Sequence, residues 1–204
     1  MDEPLAYRAA AYNVKQLDET LIASMAELYF AHYDGSSNTL FRHDLEEKDE
    51  VVLLFHAARL AGFSTFKVYG TRWRGQEVRV VYSGDTVVDR QHWGQQALAF
   101  TLIGRMGQIR RETPDTPFYW FLLVKGHRTF KYLSTFCKSF FPHWQTARPD
   151  LQALAEELAR ARFGEYYDPV AGIVHFPTSR GHLRPDIAEP RPEELSKPAT
   201  RFFL

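Results

Sequence analysis

Two side chains that can accept a proton stand at or next to segments with strand-like patterns. Asp85 follows Gly84 inside such a segment, and His127 comes shortly after the apolar run Phe118–Val124. A carboxylate or an imidazole held at such a place can act as a general base. Each residue also has a plain structural interpretation: Asp85 could bond its own backbone in a turn, and His127 could cap a helix or face solvent. Both interpretations stay open on sequence alone.

Tyr132 and Cys137 offer a proton donor and a nucleophile in the next predicted helix. A phenol can protonate a leaving group, and a thiolate can carry an acyl group. Both residues lie among phenylalanines at helical spacing, so core packing is the favoured alternative for each. Lys125, Arg128 and Lys131 form a short basic cluster that suits either an anionic ligand or a solvated helix face.

Several other chemistries lack their motifs. The eight histidines show neither a His-x-x-x-His nor a Cys/His ligand spacing, so no metal site is expected. The sequence has no Gly-x-x-x-x-Gly-Lys-Ser/Thr loop and no Gly-x-Ser-x-Gly elbow, which disfavours nucleotide hydrolysis and serine-hydrolase chemistry. Basic and acidic residues total 25 each, so no global field attracts nucleic acid.

Composition favours one folded domain in a reducing compartment. The 204 residues are 45% hydrophobic and 25% charged, which is typical of globular proteins. Cys137 is the single cysteine, no secretory signal is recognisable, and no run approaches the roughly 18 to 20 apolar residues of a membrane span. We therefore expect a cytoplasmic protein without a membrane span.

The elements that must position these side chains alternate in type. Apolar residues at helical spacing predict helices, and β-branched or aromatic runs predict strands. Gly84 inside a strand pattern indicates a bulge or a close backbone approach. In chain order we expect a helix over Leu17–Tyr33, an acidic helix or loop over His43–Glu50, a hairpin of Val51–Ala57 and Phe63–Tyr69, strands over Val78–Tyr82 and Thr86–Val88, a helix over Trp93–Arg111, a strand buried on both faces over Phe118–Val124, helices over His127–Phe141 and Asp150–Phe163, and a short hairpin over Tyr166–Phe176.

Residues 178–204 are rich in proline and show little periodicity. This pattern predicts an extended C-terminal arm that packs on a domain formed by residues 1–177. Phe202 and Phe203 would be unusual on a free tail. We expect them either to dock on the domain or to lead into further chain.

Two segments resemble the GNAT (Gcn5-related N-acetyltransferase) superfamily. Val87–Leu98 resembles its strand, pyrophosphate loop and helix start, whose pattern is Gln/Arg-x-x-Gly-x-Gly/Ala; Gln91 and Gly94 match, whereas Gln96 stands where the family has a small residue. Phe118–Phe141 resembles the fifth strand and the next helix, which border the pantetheine arm. With the order of elements over residues 17–145, the resemblance implies an α/β fold with a mixed, mostly antiparallel central sheet flanked by helices.

The resemblance also implies an activity, that of an N-acyltransferase. Its donor would be acetyl-CoA or another acyl-CoA, or an acyl carrier protein, and its acceptor an amine of a small molecule or a protein. Asp85 or His127 would take the amine proton, and Tyr132, about one turn before the family's usual acidic tyrosine, would protonate the thiolate. The residues implied in donor binding are Val87, Val88, Gln91, His92, Trp93, Gly94, Gln95, Gln96, Lys125 and Arg128.

Two other functions stay open. Gln96 and the absence of a tyrosine at the usual place suggest a degenerate GNAT fold that binds a ligand or a partner without catalysis. An unrelated α/β scaffold or interaction protein is the third alternative.

Overall fold

A computed structural model describes residues 7–204. The chain divides into two units, Met1–Leu123 and Val124–Leu204. Residues 178–204, the predicted arm, belong to the second unit, as does the helix that begins at His127. The boundary that we placed after residue 177 stays a prediction.

A five-stranded sheet forms the first unit, with strand order β1-β3-β4-β5-β6. Neighbouring strands are antiparallel except β5 and β6, which are parallel. This mixed sheet confirms the predicted fold class. The strands of this unit are β1 (Tyr7–Asn13), the short β2 (Tyr33–Asp34), β3 (Glu50–His56), β4 (Arg59–Trp73), β5 (Gln76–Val88) and β6 (Phe118–Leu122).

Three helices accompany this sheet: α1 (Glu19–Phe30), α2 (Asn38–Glu46) and α3 (Ala97–Glu112). The Asp18 carboxylate caps α1 by accepting from the N–H of Leu21 at 2.8 Å, so the helix begins two residues later than predicted. The acidic run His43–Glu50 was predicted as either a helix or a loop. Only its first four residues are helical, as the end of α2, which buries Phe41 and Leu45.

Tight turns connect the three central strands. Arg74 and Gly75, with φ of 50° and 79°, make the two-residue turn between β4 and β5, which is the backbone that hairpins with right-handed twist prefer. The two strands predicted over Val78–Tyr82 and Thr86–Val88 are one continuous strand, β5.

Other predictions about these elements need correction. All of β6 is half-buried rather than buried on both faces, because β6 is an edge strand of its sheet. The next helix, α4 (His127–Phe136), ends before Phe141 because Cys137 has an extended backbone, with φ of −108° and ψ of 127°. The strand β1 was not predicted.

The second unit contains α4, α5 (Pro149–Phe163) and the predicted hairpin, formed by β7 (Tyr167–Asp168) and β8 (Ile173–Val174). A short strand and three short helices follow in the 178–204 segment. Each of these helices begins at a proline, whose fixed φ and missing N–H suit the first helical position. They are β9 (His182–Leu183), α6 (Pro185–Ala188), α7 (Pro192–Leu195) and α8 (Pro198–Phe203). Among residues 7–204, no helix is long and apolar enough to cross a membrane.

Candidate functional site

The parallel pair of β5 and β6 separates halfway along β5. The two strands are in register from Arg79, opposite Phe118, to Ser83, opposite Leu122, and the N–H of Leu123 donates to the Ser83 carbonyl at 3.3 Å. Beyond Ser83, β5 continues to Val88 and stays paired with β4. The last residues of β5 therefore have one edge that β6 does not cover.

A β-bulge lies where this uncovered edge begins. Ser83 pairs with Phe66 and Thr86 pairs with Ser64, so Gly84 and Asp85 together oppose one residue of β4. The predicted bulge at Gly84 is confirmed.

The extra residue shifts the alternation of the backbone by one position. Before the bulge, the backbone of Arg79 and Ser83 points to β6; after it, the N–H of Asp89 points to β4 and donates to the Ala61 carbonyl at 2.9 Å. Alternate residues of a strand face the same edge, and Asp89 faces β4. The backbone groups of Val88 and Thr86, one and three residues before Asp89, therefore face the uncovered edge. The Val88 carbonyl accepts from the Trp93 indole at 2.8 Å.

The predicted pyrophosphate loop joins β5 to α3. The N–H groups of Gln91, His92, Trp93 and Gln95 bond to acceptors within the loop or to Asp89 just before it. Within residues 7–204, the N–H groups of Gly94, Gln96, Ala97 and Ala99 have no hydrogen-bond acceptor. The N-terminus of α3 therefore offers unpaired donors at the positive end of a 16-residue helix. Helix α3 begins four residues after the predicted Trp93.

Side chains of the loop divide into two groups. Those of Gln91 and Gln96 are exposed. The Nδ1 of His92 lies 3.0 Å from the Tyr7 hydroxyl, and its ring packs on His56 with centroids 4.8 Å apart. The aromatic contacts of His92 were not predicted, because β1, which carries Tyr7, was not recognised in the sequence.

Two tyrosines lie beside the bulge. Asp85 is half-buried, and the rings of Tyr29 and Tyr33 stack with centroids 4.5 Å apart. Burial, followed by the charge of the Asp85 carboxylate, raises the pKa of both tyrosines well above the ordinary value. Both hydroxyls are therefore protonated at neutral pH, and the Asp85 carboxylate has an aromatic surrounding.

A buried lysine borders the same bulge. The Lys48 side chain is 0% exposed, and its Nζ donates to the Asp44 carboxylate at 2.5 Å and to the Asp44 carbonyl at 2.8 Å. A Cβ added at Gly84 would lie 3.4 Å from the Lys48 Cε, 3.8 Å from its Nζ and 3.9 Å from the Thr65 hydroxyl. Thr65 is 2% exposed, and its hydroxyl has no hydrogen-bond partner in the part of the chain that the structure describes.

On α4 lie the other predicted catalytic residues. His127 is 1% exposed, with Nε2 3.4 Å from a carboxylate oxygen of Glu194. Burial and the neighbouring Arg128 charge lower the pKa of His127, so its imidazole is neutral at pH 7. Burial raises the pKa of Tyr132, whose ring meets Phe136 edge-on. Burial likewise raises the pKa of Cys137, which makes its thiol a weak nucleophile.

The basic cluster of α4 contacts the 178–204 segment. Arg128 donates to the Ile187 carbonyl at 2.6 Å and to Glu194 at 3.0 Å, and Lys131 donates to Glu194 at 2.9 Å. Burial acts to raise the pKa of Glu194, but hydrogen bonds from Lys131 and the Arg191 N–H, with the Arg128 charge, lower it to about 2. Similarly, Lys125 donates to the Arg180 carbonyl at 3.3 Å.

Aromatic contacts fix the end of the segment as well. Phe202 and Phe203 lie against Phe130, with centroids 5.9 and 5.7 Å from its ring. Of the two alternatives predicted for Phe202 and Phe203, the structure shows docking, on the ring of Phe130.

The predicted site residues thus fall into two groups. Asp85, Val87, Val88 and residues 91–96 lie together in the first unit, from the bulge to the N-terminus of α3. The others lie in the second unit, just before or on α4. Lys48, Asp44, Thr65 and Thr86 were not predicted. No group of three or more His, Cys, Asp or Glu residues that could hold a metal ion occurs between residues 7 and 204.

Comparisons of sequence and of structure give different results. No family model matches the sequence, and no curated protein matches it. Solved structures do resemble the chain. A ribosomal-protein-alanine N-acetyltransferase from Brucella melitensis biovar Abortus 2308 aligns over 70% of this chain and 99% of that chain, with 15% identity and a TM-score of 0.51.

A second solved structure, a conserved protein of unknown function from Enterococcus faecalis V583 described as a probable N-acyltransferase, aligns over 63% of this chain with 8% identity and a TM-score of 0.50. This chain covers 32% of the length of the Enterococcus protein. At these identities the likeness concerns the fold, which is the GNAT-like fold predicted from the sequence.

Proposed function

We propose that the chain is an N-acyltransferase that moves an acyl group from acyl-CoA to an amine. One observation carries this proposal: the uncovered end of β5 leads from a bulge with a carboxylate, Asp85, to a helix N-terminus with unpaired N–H groups. The GNAT-like fold supports it. A thioester donor with a long amide-containing arm and a pyrophosphate needs both features along one line.

Donor binding would use backbone groups first. The uncovered groups of Thr86 and Val88 suit the amides of pantetheine, which would bind beside β5 as an added strand does. The unpaired N–H groups at the start of α3 suit the pyrophosphate, because such donors and the helix dipole favour anions. The Val88 carbonyl already accepts from Trp93, which leaves its N–H for the ligand.

The transfer step needs a free amine. An alkylamine with a pKa near 10 must lose its proton before its nitrogen can attack the thioester carbonyl. Asp85 would accept that proton, directly or through water, as the C–N bond forms. The C–S bond then breaks, and the second proton of the attacking nitrogen, directly or through water, goes to the departing thiolate, which leaves a neutral amide and a free thiol. Asp85 is half-buried at the bulge, whereas His127 is enclosed, so the geometry favours Asp85 as the base.

Asp85→Asn tests this assignment. We expect turnover to fall by about 10² to 10⁴ at neutral pH and to recover in part at high pH, where free amine is more abundant. Affinity for CoA, measured by calorimetry, should stay unchanged. Asp115→Asn, an exposed aspartate in the same unit, is the matched control. Full turnover in Asp85→Asn would show that another group or bulk water takes the proton.

A second function is supported by Gln96. This residue is exposed at the N-cap of α3 and makes no side-chain cap bond, so its amide stands at the proposed phosphate site. A chain that binds CoA but transfers nothing would have this arrangement too. Incubation with several acyl-CoAs and a broad set of amines, with detection of free thiol, separates the two: binding without thiol release favours the non-catalytic function.

The donor and the location are further parts of the proposal. Mass spectrometry of ligands that co-purify with the protein would identify a CoA thioester and its acyl length, or a carrier-protein arm. We propose a cytoplasmic location, where a reducing environment keeps Cys137 a thiol.

A further inference from the structure

A fully buried cation beside the bulge is not used in the proposed reaction. Lys48 has a side chain that is 0% exposed, and its ammonium makes two hydrogen bonds, both to Asp44. It also lies over the Tyr82 ring, with Nζ 5.8 Å from the centroid. An ammonium in such a place is costly to bury unless nearby negative charge compensates it.

Asp44 and Asp85 both belong to this neighbourhood. Besides burial, the charges of both carboxylates raise the pKa of Tyr29. The Lys48 ammonium lies beside Gly84, the residue before Asp85. In the first unit, the titratable groups of this neighbourhood include Lys48, Asp44 and the hydroxyls of Tyr29 and Tyr33. Among these groups, Lys48 is the cation.

We infer that Lys48 is a positioning residue that keeps the Asp85 carboxylate ionised, and that Asp44 moderates its effect. This inference rests on the proposed function, in which Asp85 must be a carboxylate to accept a proton. Burial among aromatic rings favours the neutral carboxyl, and a cation nearby favours the ionised one. Asp44 acts in the opposite sense to Lys48, because a like charge disfavours ionisation.

Stability alone does not account for a buried pair of this kind. Apolar residues of the same volume often give equal or greater stability than a buried ion pair. The Asp44 carboxylate is 44% exposed, so the pair does not close a sealed core. What Lys48 provides at the bulge is a fixed positive charge next to a reacting carboxylate.

Lys48→Met and Asp44→Asn should move the titration of Asp85 in opposite directions. Carbon-13 NMR of the Asp85 side-chain carboxyl, without any substrate, reports this titration directly. We expect the midpoint to rise by about 1 to 3 pH units in Lys48→Met, the range found when a carboxylate loses a close cation. In Asp44→Asn it should fall. Lys15→Met, which removes an exposed lysine, should leave the midpoint where it is.

The pH dependence of turnover gives a second test of the role of Lys48. The acidic limb of the pH–rate profile should move with the NMR midpoint in each variant. Unmoved midpoints, or a shift in the same direction in both variants, would overturn the role of Lys48. If Lys48→Met does not fold, Asp44→Asn decides alone, since it retains the lysine. Opposite NMR shifts with no thiol release on any amine would support Lys48 and contradict the proposed enzyme.

Discussion

Gln96→Glu separates the binding of phosphate from the stability of the helix that would bind it. Gln96 is exposed at the N-cap of α3, and its own N–H and that of Ala97 have no acceptor within residues 7–204. A carboxylate near these N–H groups should stabilise α3 by about 0.3 to 1 kcal/mol. The same charge should repel a bound pyrophosphate.

The size of the repulsion follows from the exposure of this position. Two like charges about 5 Å apart repel by about 0.8 kcal/mol in water and about 3 kcal/mol at an effective dielectric of 20. Because Gln96 is exposed, the value should lie towards the lower end, about 1 to 2 kcal/mol. We therefore expect CoA affinity to fall about 5- to 30-fold while thermal stability stays equal or rises.

Calorimetry with CoA and with pantetheine, which lacks the phosphates, measures the effect. CoA binding should weaken and pantetheine binding should not, and the difference should shrink in 1 M salt, where the screening length is about 3 Å. Gln108→Glu makes the same charge change at the other end of α3 and is the control. Equal CoA affinity in wild type and Gln96→Glu, with a raised Tm in the variant, would refute a pyrophosphate site at this helix.

Two further predictions concern stability. Glu194→Gln should lower the free energy of unfolding by about 1 to 2 kcal/mol, because two cations lose a partner that is 12% exposed, whereas Glu193→Gln, at 66% exposed, should change it little. The pKa of Glu194 in the folded protein, about 2, lies below the ordinary 4.5. Its contribution to the free energy of unfolding is therefore present above pH 4.5 and is lost as the pH falls towards 2. Denaturant unfolding of Glu194→Gln at a series of pH values should not show this loss. Gly62→Ala should lower the free energy of unfolding by about 1 to 3 kcal/mol, since the added Cβ would lie 2.8 Å from the Val87 carbonyl oxygen. Gly70→Ala is the control, because its nearest atom would be 4.0 Å away. Equal unfolding curves for the two variants would contradict the packing of β4 on β5.

Local patterns were enough to predict the elements that carry strong signals. The hairpin of β3 and β4 and the bulge at Gly84 both follow from residue types within a few positions of one another. Helix α1 was expected from apolar spacing, and only its ends moved, because the Asp18 cap determines where the helix begins.

The start of α3 was wrong for a tertiary reason. Trp93, Gln95 and Gln96 are residue types that a helix accommodates, but Gly94 adopts φ of 97°, outside the right-handed helical region. The Trp93 indole donates to the Val88 carbonyl, a bond that ties the loop back to the end of β5. Such a contact depends on where β5 ends, so spacing within the loop does not reveal it.

Lys48 shows the same limit in the candidate site. Asp44 and Lys48 are four residues apart in an acidic run, a pattern that usually indicates an exposed ion pair on a helix. In the structure α2 ends before Lys48, which turns inward beneath the bulge. Lys48 is buried beside Gly84 and Tyr82 of β5, which lie more than 30 residues away in the sequence, so the residues around Lys48 do not reveal these contacts.

The bulge also determines which backbone groups of the predicted donor-binding pair, Val87 and Val88, face the edge that β6 does not cover. In a regular strand, the backbone of every second residue faces the same edge, so continuing the pattern of Arg79 and Ser83 would place Val87 at the uncovered edge. The added residue reverses that pattern, and Thr86 and Val88 face the edge instead. One insertion in β5 therefore both places Asp85 at the start of the uncovered edge and selects which backbone groups are open at that edge. If the proposed function is right, deletion of Gly84, which restores the regular alternation, should abolish both turnover and CoA binding, whereas changes of the buried Val87 side chain should leave CoA binding intact.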